Sequence, residues 1–129
     1  MDLGQSSPWT ALVVDDEESV RLLVRKLLES DGFVVLEAAD GEEALRVAEL
    51  HAGKIRVLLT DVLMPGRSGP EVARLLQHRQ PGLRVVFMSG FKGETDLDEA
   101  LEDQRAFFVQ KPFSRITLLT AVRASCAAP

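Results

Sequence analysis

The chain has 129 residues, about the length of one domain. Apolar residues make up 46% of it and charged residues 27%, which is ordinary for a soluble globular protein. The net charge of -5 argues against a surface that binds nucleic acid. The chain has no apolar stretch long enough for a membrane span, and its single cysteine excludes an internal disulfide. We expect a flexible leader at residues 1–8, one domain at 9–126 and a tail at 127–129, in the cytoplasm.

Five apolar runs alternate with helical patterns along the chain. The runs predict buried strands of a parallel sheet and cover residues 11–14, 33–36, 57–60, 85–88 and 107–110. Strands that alternate with helices imply right-handed crossovers and a sheet covered on both faces. The predicted fold is therefore a single α/β domain with five strands and five helices.

The helices are predicted from apolar spacing and from capping residues. The first has an apolar stripe that includes Val24 and Leu28, and it ends at Gly32. Three others begin at side chains that typically cap a helix, namely Asp40, Ser68 and Ser114. The predicted fourth helix, at residues 93–103, has three apolar residues among six acidic ones, and we expect it to be short or mobile.

Polar side chains follow four of the strands at the point where each strand ends. Asp15 and Asp16 follow the first strand, Asp61 the third, Ser89 the fourth and Lys111 the fifth. Because the carboxyl ends of parallel strands lie at one edge of the sheet, where ligands of such folds bind, we expect these side chains to converge. Three carboxylates, a hydroxyl and an ammonium in one place suit a divalent cation and a phosphoryl group.

Taken one at a time, the same residues have ordinary structural interpretations. Asp16 is suited to cap the first helix, and Asp61 and Ser89 are suited to turns. A lone lysine such as Lys111 is usually a solvated surface group. The combination, not any single residue, points to a site.

Four sequence stretches together resemble the receiver domains of two-component response regulators. They are residues 13–17, 60–69, 88–90 and 109–113, in this order and each at the end of a predicted strand. The likeness covers about residues 10–125. It implies a flavodoxin-like, doubly wound domain whose five-stranded parallel sheet has the order 2-1-3-4-5.

The resemblance also implies roles for the carboxylates. Asp61 matches the phosphoacceptor, and a carboxylate can attack phosphorus to give an acyl phosphate labile enough to serve as a signal. Asp16, Asp61 and the backbone carbonyl of Leu63 match direct ligands of Mg²⁺ or Mn²⁺, with Asp15 acting through a water. A divalent cation would also relieve the repulsion between carboxylates this close together.

Three further residues match family positions. Lys111 is expected to neutralise the phosphoryl oxygens, aimed by a cis peptide bond between Lys111 and Pro112. The hydroxyl of Ser89 is expected to hydrogen-bond the phosphoryl group. Phe108 lies at the switch aromatic position, where many relatives have a tyrosine; a plain half-buried edge residue is the alternative for it.

The implied function is a phosphorylation switch that relays a signal by a conformational change and catalyses only its own phosphorylation and slow dephosphorylation. A histidine kinase or a histidine phosphotransfer protein would supply the phosphoryl group, and a dimer would form through the predicted fourth helix and fifth strand. The stretch from Phe108 to Phe113 resembles receivers attached to hybrid sensor kinases. We also expect the apolar side chains of Leu63 and Phe91, which flank the site, to limit the access of water.

Two other functions remain open from the sequence. One is a docking module that keeps the fold without switching, which Phe108 and the weak fourth helix allow. The other is a phosphatase with an aspartyl nucleophile, but that chemistry needs a second carboxylate as general acid, and the sequence near Asp61 offers none.

Overall fold

The computed structural model of the chain describes residues 8–90 and 106–128. The strands are β1 (Thr10–Val14), β2 (Val34–Ala38), β3 (Ile55–Asp61), β4 (Arg84–Ser89) and β5 (Phe107–Gln110). The helices are α1 (Glu18–Ser30), α2 (Gly41–Leu50), α3 (Gly69–Arg79) and a C-terminal helix (Arg115–Ala127). The predicted helix at residues 93–103 lies outside the described residues. None of the helices in the described ranges is long and apolar enough to cross a membrane.

The five strands form one parallel sheet in the order β2-β1-β3-β4-β5, which confirms the predicted doubly wound fold. The pairing register aligns Val14 with Thr60, Asp61 with Met88 and Ser89 with Gln110. This register brings the carboxyl ends of β1, β3, β4 and β5 to the same edge of the sheet, as open parallel sheets do.

The sheet is buried on both faces, which explains why its strands are continuously apolar instead of alternating. Val13 and Leu59 lie side by side on the face covered by α1 and the C-terminal helix. Leu12 and Leu58 lie side by side on the face covered by α2 and α3. Burying each of these side chains contributes roughly 1.5–3 kcal/mol.

Side-chain caps fix the starts of three helices, as predicted. The backbone N–H of Glu43 donates to Asp40 Oδ1 at 2.9 Å, and that of Glu71 donates to Ser68 Oγ at 3.2 Å. The C-terminal helix begins in the same way, where the N–H of Thr117 donates to Ser114 Oγ at 3.1 Å. Each cap satisfies a backbone donor that the helix itself leaves unpaired and is worth about 1 kcal/mol.

Candidate functional site

Three carboxylates meet at the carboxyl edge of the sheet. Asp15 and Asp16 directly follow β1, and Asp61 is the last residue of β3. One oxygen from each carboxylate lies within 4.8 Å of the others. Asp15 has no exposed surface and Asp61 is 9% exposed, whereas Asp16 is exposed. The convergence that the shared direction of parallel strands predicts for these residues is therefore present.

Asp15 is held by hydrogen bonds of its backbone and of both oxygens of its carboxylate. Its own N–H donates to the carbonyl of Ala38 at 3.2 Å. Its Oδ1 accepts the N–H of Glu17 at 2.9 Å, and its Oδ2 accepts from Lys111 Nζ at 2.7 Å. A buried carboxylate with both oxygens already engaged suits a supporting role beside the cation better than direct ligation.

Asp16 does not cap the first helix. The residue at the capping position of α1 is Glu17, and its side chain makes no capping hydrogen bond. Within residues 8–90 and 106–128, the exposed carboxylate of Asp16 makes no hydrogen bond or ion pair. The capping alternative is therefore wrong for this residue, and its carboxylate is available to a cation.

Lys111 joins the two buried carboxylates. Its Nζ lies 2.7 Å from Asp15 Oδ2 and 3.3 Å from Asp61 Oδ2, and its side chain is only 17% exposed. The peptide bond between Lys111 and Pro112 is cis, and the N–H of Lys111 donates to the carbonyl of Ser89 at 2.8 Å. The ammonium group of Lys111 is thus largely buried within the site, unlike that of a solvated surface lysine.

The site shifts the pKa values of both Asp61 and Lys111. Burial raises the pKa of Asp61 above its ordinary value, and the positive charge of Lys111 offsets only part of that effect. Burial by itself would lower the pKa of Lys111, but the hydrogen bond to Asp15 and the charge of Asp61 outweigh it, so the net pKa of Lys111 is raised. Lys111 therefore stays protonated at neutral pH. Its positive charge does not fully offset the cost of burying the ionised form of Asp61.

The structure describes three of the remaining predicted residues, Ser89, Leu63 and Phe108. Ser89 is buried at the end of β4, and Leu63, two residues after Asp61, is 56% exposed. The loop that carries Leu63 is anchored at both ends, because the N–H of Val62 donates to the carbonyl of Met88 and the N–H of Gly69 donates to that of Val62. Phe108 on β5 is half-buried against the core layer beneath α2 and α3, and Phe91 lies outside the described residues.

Two arginines near the site were not found from the sequence. Arg21 Nη1 donates to the backbone carbonyl of Asp15 at 2.6 Å. Arg67 binds Glu42 at 2.6 Å and Glu71 at 2.7 Å, and so ties the start of α2 to the start of α3. Arg67 and Glu71 are spaced for a pair on one helical turn, but the contacts of Arg21 and Glu42 depend on how separate elements are placed, which no local spacing reveals.

Three converging carboxylates, one of them fully buried, form an oxygen-rich site with more negative than positive charge. Such a donor set fits a hard divalent cation, which prefers carboxylate oxygens and completes its coordination with carbonyls, waters and phosphate oxygens. The same edge carries an ammonium and a buried hydroxyl, which suits an anionic phosphoryl group beside the cation.

Comparison with known proteins decides the family. The family model of the response regulator receiver domain matches residues 11–123, nearly the whole chain. The chain is a response regulator receiver domain. The sensor kinase CckA of Brucella abortus is 36% identical to this receiver domain over 122 residues, which are 95% of the chain but only 13% of the kinase.

Solved receiver domains share the fold over most of their length. The receiver domain of the hybrid histidine kinase CckA is 38% identical with a TM-score of 0.76, and the match covers 91% of this chain and 98% of that one. The response regulator TrrA of Thermotoga maritima, solved in complex with Mg²⁺-BeF, is 27% identical with a TM-score of 0.78 over 91% of this chain and 98% of that one. Receiver domains are signalling domains, so the phosphatase alternative has no support in these likenesses.

Proposed function

We propose that this receiver domain accepts a phosphoryl group on Asp61 in a reaction that depends on Mg²⁺ or Mn²⁺. The observation that carries the proposal is the position of Lys111 Nζ, 2.7 Å from Asp15 and 3.3 Å from Asp61. The exposed carboxylate of Asp16 has an oxygen within 4.8 Å of those of Asp15 and Asp61. A buried nucleophile with a fixed ammonium beside it is arranged for charge to develop on a transferring phosphoryl group.

The proposed cation ligands are the carboxylates of Asp16 and Asp61 and the backbone carbonyl of Leu63, with Asp15 acting through a water. When bound, the cation would neutralise charge on the phosphoryl oxygens and hold them in place. Its charge would also lower the free energy of ionised Asp61, which burial otherwise raises. The cation would thus favour the ionised, nucleophilic form of Asp61.

In the proposed transfer, an oxygen of Asp61 attacks the phosphorus of a phosphohistidine in line with the bond to nitrogen. The P–O bond forms, the P–N bond breaks, and the imidazole leaves and takes a proton from solvent. Lys111 compensates the negative charge on the phosphoryl oxygens, and the hydroxyl of Ser89 donates a hydrogen bond to one of them. Positioning and electrostatics carry most of such a reaction.

The proposed partner is a histidine kinase or a histidine phosphotransfer protein, and the chain acts within a larger protein of the hybrid kinase type or beside one. Phe108 is the proposed switch residue, and its half-buried position on the edge strand β5 supports the proposal. A dimer through β5 and the segment at residues 93–103, a cytoplasmic location and the domain limits at 9–126 all stay predictions.

Intact-mass spectrometry after incubation with acetyl phosphate and Mg²⁺ tests the proposal. We expect one added phosphoryl group on the wild type and none on Asp61→Asn. Asp40→Asn is the matched control, because it makes the same chemical change at the cap of α2, where asparagine caps as well as aspartate. EDTA present during the incubation should prevent formation of the adduct on the wild type and on Asp40→Asn, because it removes the cation that the transfer needs.

The negative outcomes are also informative. An adduct that persists in Asp61→Asn would place the phosphoacceptor elsewhere and overturn the proposal. No adduct from acetyl phosphate or from any phosphohistidine donor, in protein that binds Mg²⁺, would favour the docking module that keeps the fold without switching.

A further inference from the structure

One arginine outside the family motifs reaches the backbone of the acidic site. Arg21 lies in the second turn of α1, and its Nη1 donates to the carbonyl oxygen of Asp15 at 2.6 Å. The Arg21 side chain is only 15% exposed, so its guanidinium is turned inward against the sheet edge. Hydrogen bonds from a charged donor to a carbonyl are short and stronger than neutral ones.

The carbonyl that accepts this bond belongs to the peptide unit between Asp15 and Asp16. The Asp15 side chain is fixed independently, by Lys111 and by the N–H of Glu17. Asp16 has no such support, because in the part of the chain that the structure describes its carboxylate makes no hydrogen bond or ion pair. The orientation of the shared peptide is therefore what sets where the Asp16 side chain begins.

Arg21 is itself held by a carboxylate on the neighbouring strand. Glu37 lies on β2 opposite Val13 of β1, and its Oε1 is 3.4 Å from Arg21 Nε. Its other oxygen, Oε2, is 2.7 Å from Arg25 Nη1. Glu37 thus restrains the guanidinium of Arg21 from the sheet side, while Arg25 binds the same carboxylate without reaching the acidic site.

We propose that Arg21 is a positioning residue for the cation site, which it serves by fixing the peptide between Asp15 and Asp16. The inference rests on the proposed function, since it assigns to Asp16 a cation to bind. Partners that orient metal ligands without touching the metal typically change metal affinity by 10- to 100-fold when removed. We expect a loss at the lower end of that range, about tenfold, because Arg21 acts on one ligand only.

The positive charge of Arg21 would affect the Mg²⁺ affinity in the opposite direction. A guanidinium close to a cation site repels the cation, so removal of the charge alone would make Mg²⁺ bind more tightly. Positioning and charge therefore move the Mg²⁺ affinity in opposite directions, and the sign of the change distinguishes them. A purely structural contribution would lower the Tm without a specific change in affinity.

The experiment compares wild type, Arg21→Met, Arg21→Lys and Arg25→Met. Mg²⁺ affinity is measured by isothermal titration calorimetry, and Tm is measured in EDTA by circular dichroism. Arg25→Met is the matched control, because it removes a guanidinium from Glu37 and leaves the contact with Asp15 in place. Arg21→Lys keeps a charged donor on a long side chain and should recover part of the affinity.

We expect Arg21→Met to bind Mg²⁺ about tenfold more weakly, Arg25→Met to stay close to wild type, and Arg21→Lys to fall between them. Affinity of Arg21→Met equal to or tighter than that of Arg25→Met would overturn the inference. If Arg21→Met does not fold, affinity of Arg21→Lys no weaker than that of Arg25→Met would overturn it as well. Wild type that binds no Mg²⁺ would instead overturn the proposed function and this inference with it.

Discussion

Gly69, the first residue of α3, lies close to the backbone at the end of β3, and this closeness allows a quantitative prediction. A Cβ atom at this position would lie 2.1 Å from the carbonyl oxygen of Asp61 and 3.2 Å from Thr60 Cγ2. Real Cβ atoms essentially never come closer than 3.0 Å to a heavy atom, so Gly69→Ala requires a shift of about 1 Å between α3 and the end of β3. Neither side can give easily, because the main contact is with backbone.

The expected cost follows from this overlap. Overpacking of a closed position typically costs about 1–3 kcal/mol, and a clash with backbone belongs at the upper end of that range. The better helix propensity of alanine returns less than about 1 kcal/mol. A net loss of about 2–3 kcal/mol, with an unfolding entropy of about 2.1 cal/mol/K per residue, lowers the Tm of a chain of 129 residues by roughly 7–11 °C.

Gly82→Ala is the matched control, because a Cβ there meets nothing within 4 Å. We expect its Tm to stay within about 4 °C of the wild type, since a tolerated Gly→Ala change is worth less than about 1 kcal/mol. Thermal unfolding followed by circular dichroism in EDTA compares the two variants. A Gly69→Ala protein that melts within about 3 °C of Gly82→Ala would refute the close approach of α3 to the end of β3.

Four further outcomes are expected. In EDTA at pH 7, Asp61→Asn should have a higher Tm than wild type, because burial raises the pKa of Asp61 and so disfavours its ionised form in the folded protein. The protonated carboxyl contributes its full stability below the unfolded pKa of about 3.9 and loses it as the pH rises through the folded pKa, so the advantage of the variant should vanish near pH 4. Equal Tm values at pH 7 would contradict this reasoning. Lys111→Met leaves two buried carboxylates without their cation and should cost about 3 kcal/mol in EDTA, partly recovered by Mg²⁺, whereas the exposed Lys54→Met should melt like wild type. Leu63→Asn should shorten the lifetime of the phosphorylated protein, followed by intact mass after removal of the donor, since it puts an amide in place of an apolar group beside Asp61; an unchanged lifetime would exclude shielding by Leu63. Burial raises the pKa of the Cys126 thiol to about 11, which leaves about one thiolate in a thousand at pH 8, so iodoacetamide should modify it only after unfolding in urea, and rapid labelling of the folded protein would argue against that burial.

Much of the fold could be predicted from local patterns. The apolar runs located all five strands, because strands buried on both faces are continuously apolar. The starts of three helices followed from Asp40, Ser68 and Ser114, since a capping side chain acts on backbone only three residues away. The strand order was different: it came from the family resemblance, because pairing between distant strands leaves no local signal.

The candidate site divides along the same line. The residue types at the strand ends, together with the shared direction of parallel strands, were enough to bring Asp15, Asp16, Asp61 and Lys111 together. The sequence left open whether Asp16 caps α1, and the structure assigns that position to Glu17. Local sequence patterns predict which residues lie at the site, but not which hydrogen bonds each residue makes.

By itself, the sequence determined the alternation of strands and helices, the edge at which the functional side chains meet and, through its motifs, the family. Only the tertiary structure decided that Lys111 contacts both Asp15 and Asp61, that Arg21 holds the backbone between the acidic pair, and that Gly69 lies against the carbonyl of Asp61. The physical reason is range: helix caps and apolar periodicity act over a few residues, whereas burial, pKa shifts and ion pairs depend on atoms that folding brings together from distant parts of the chain.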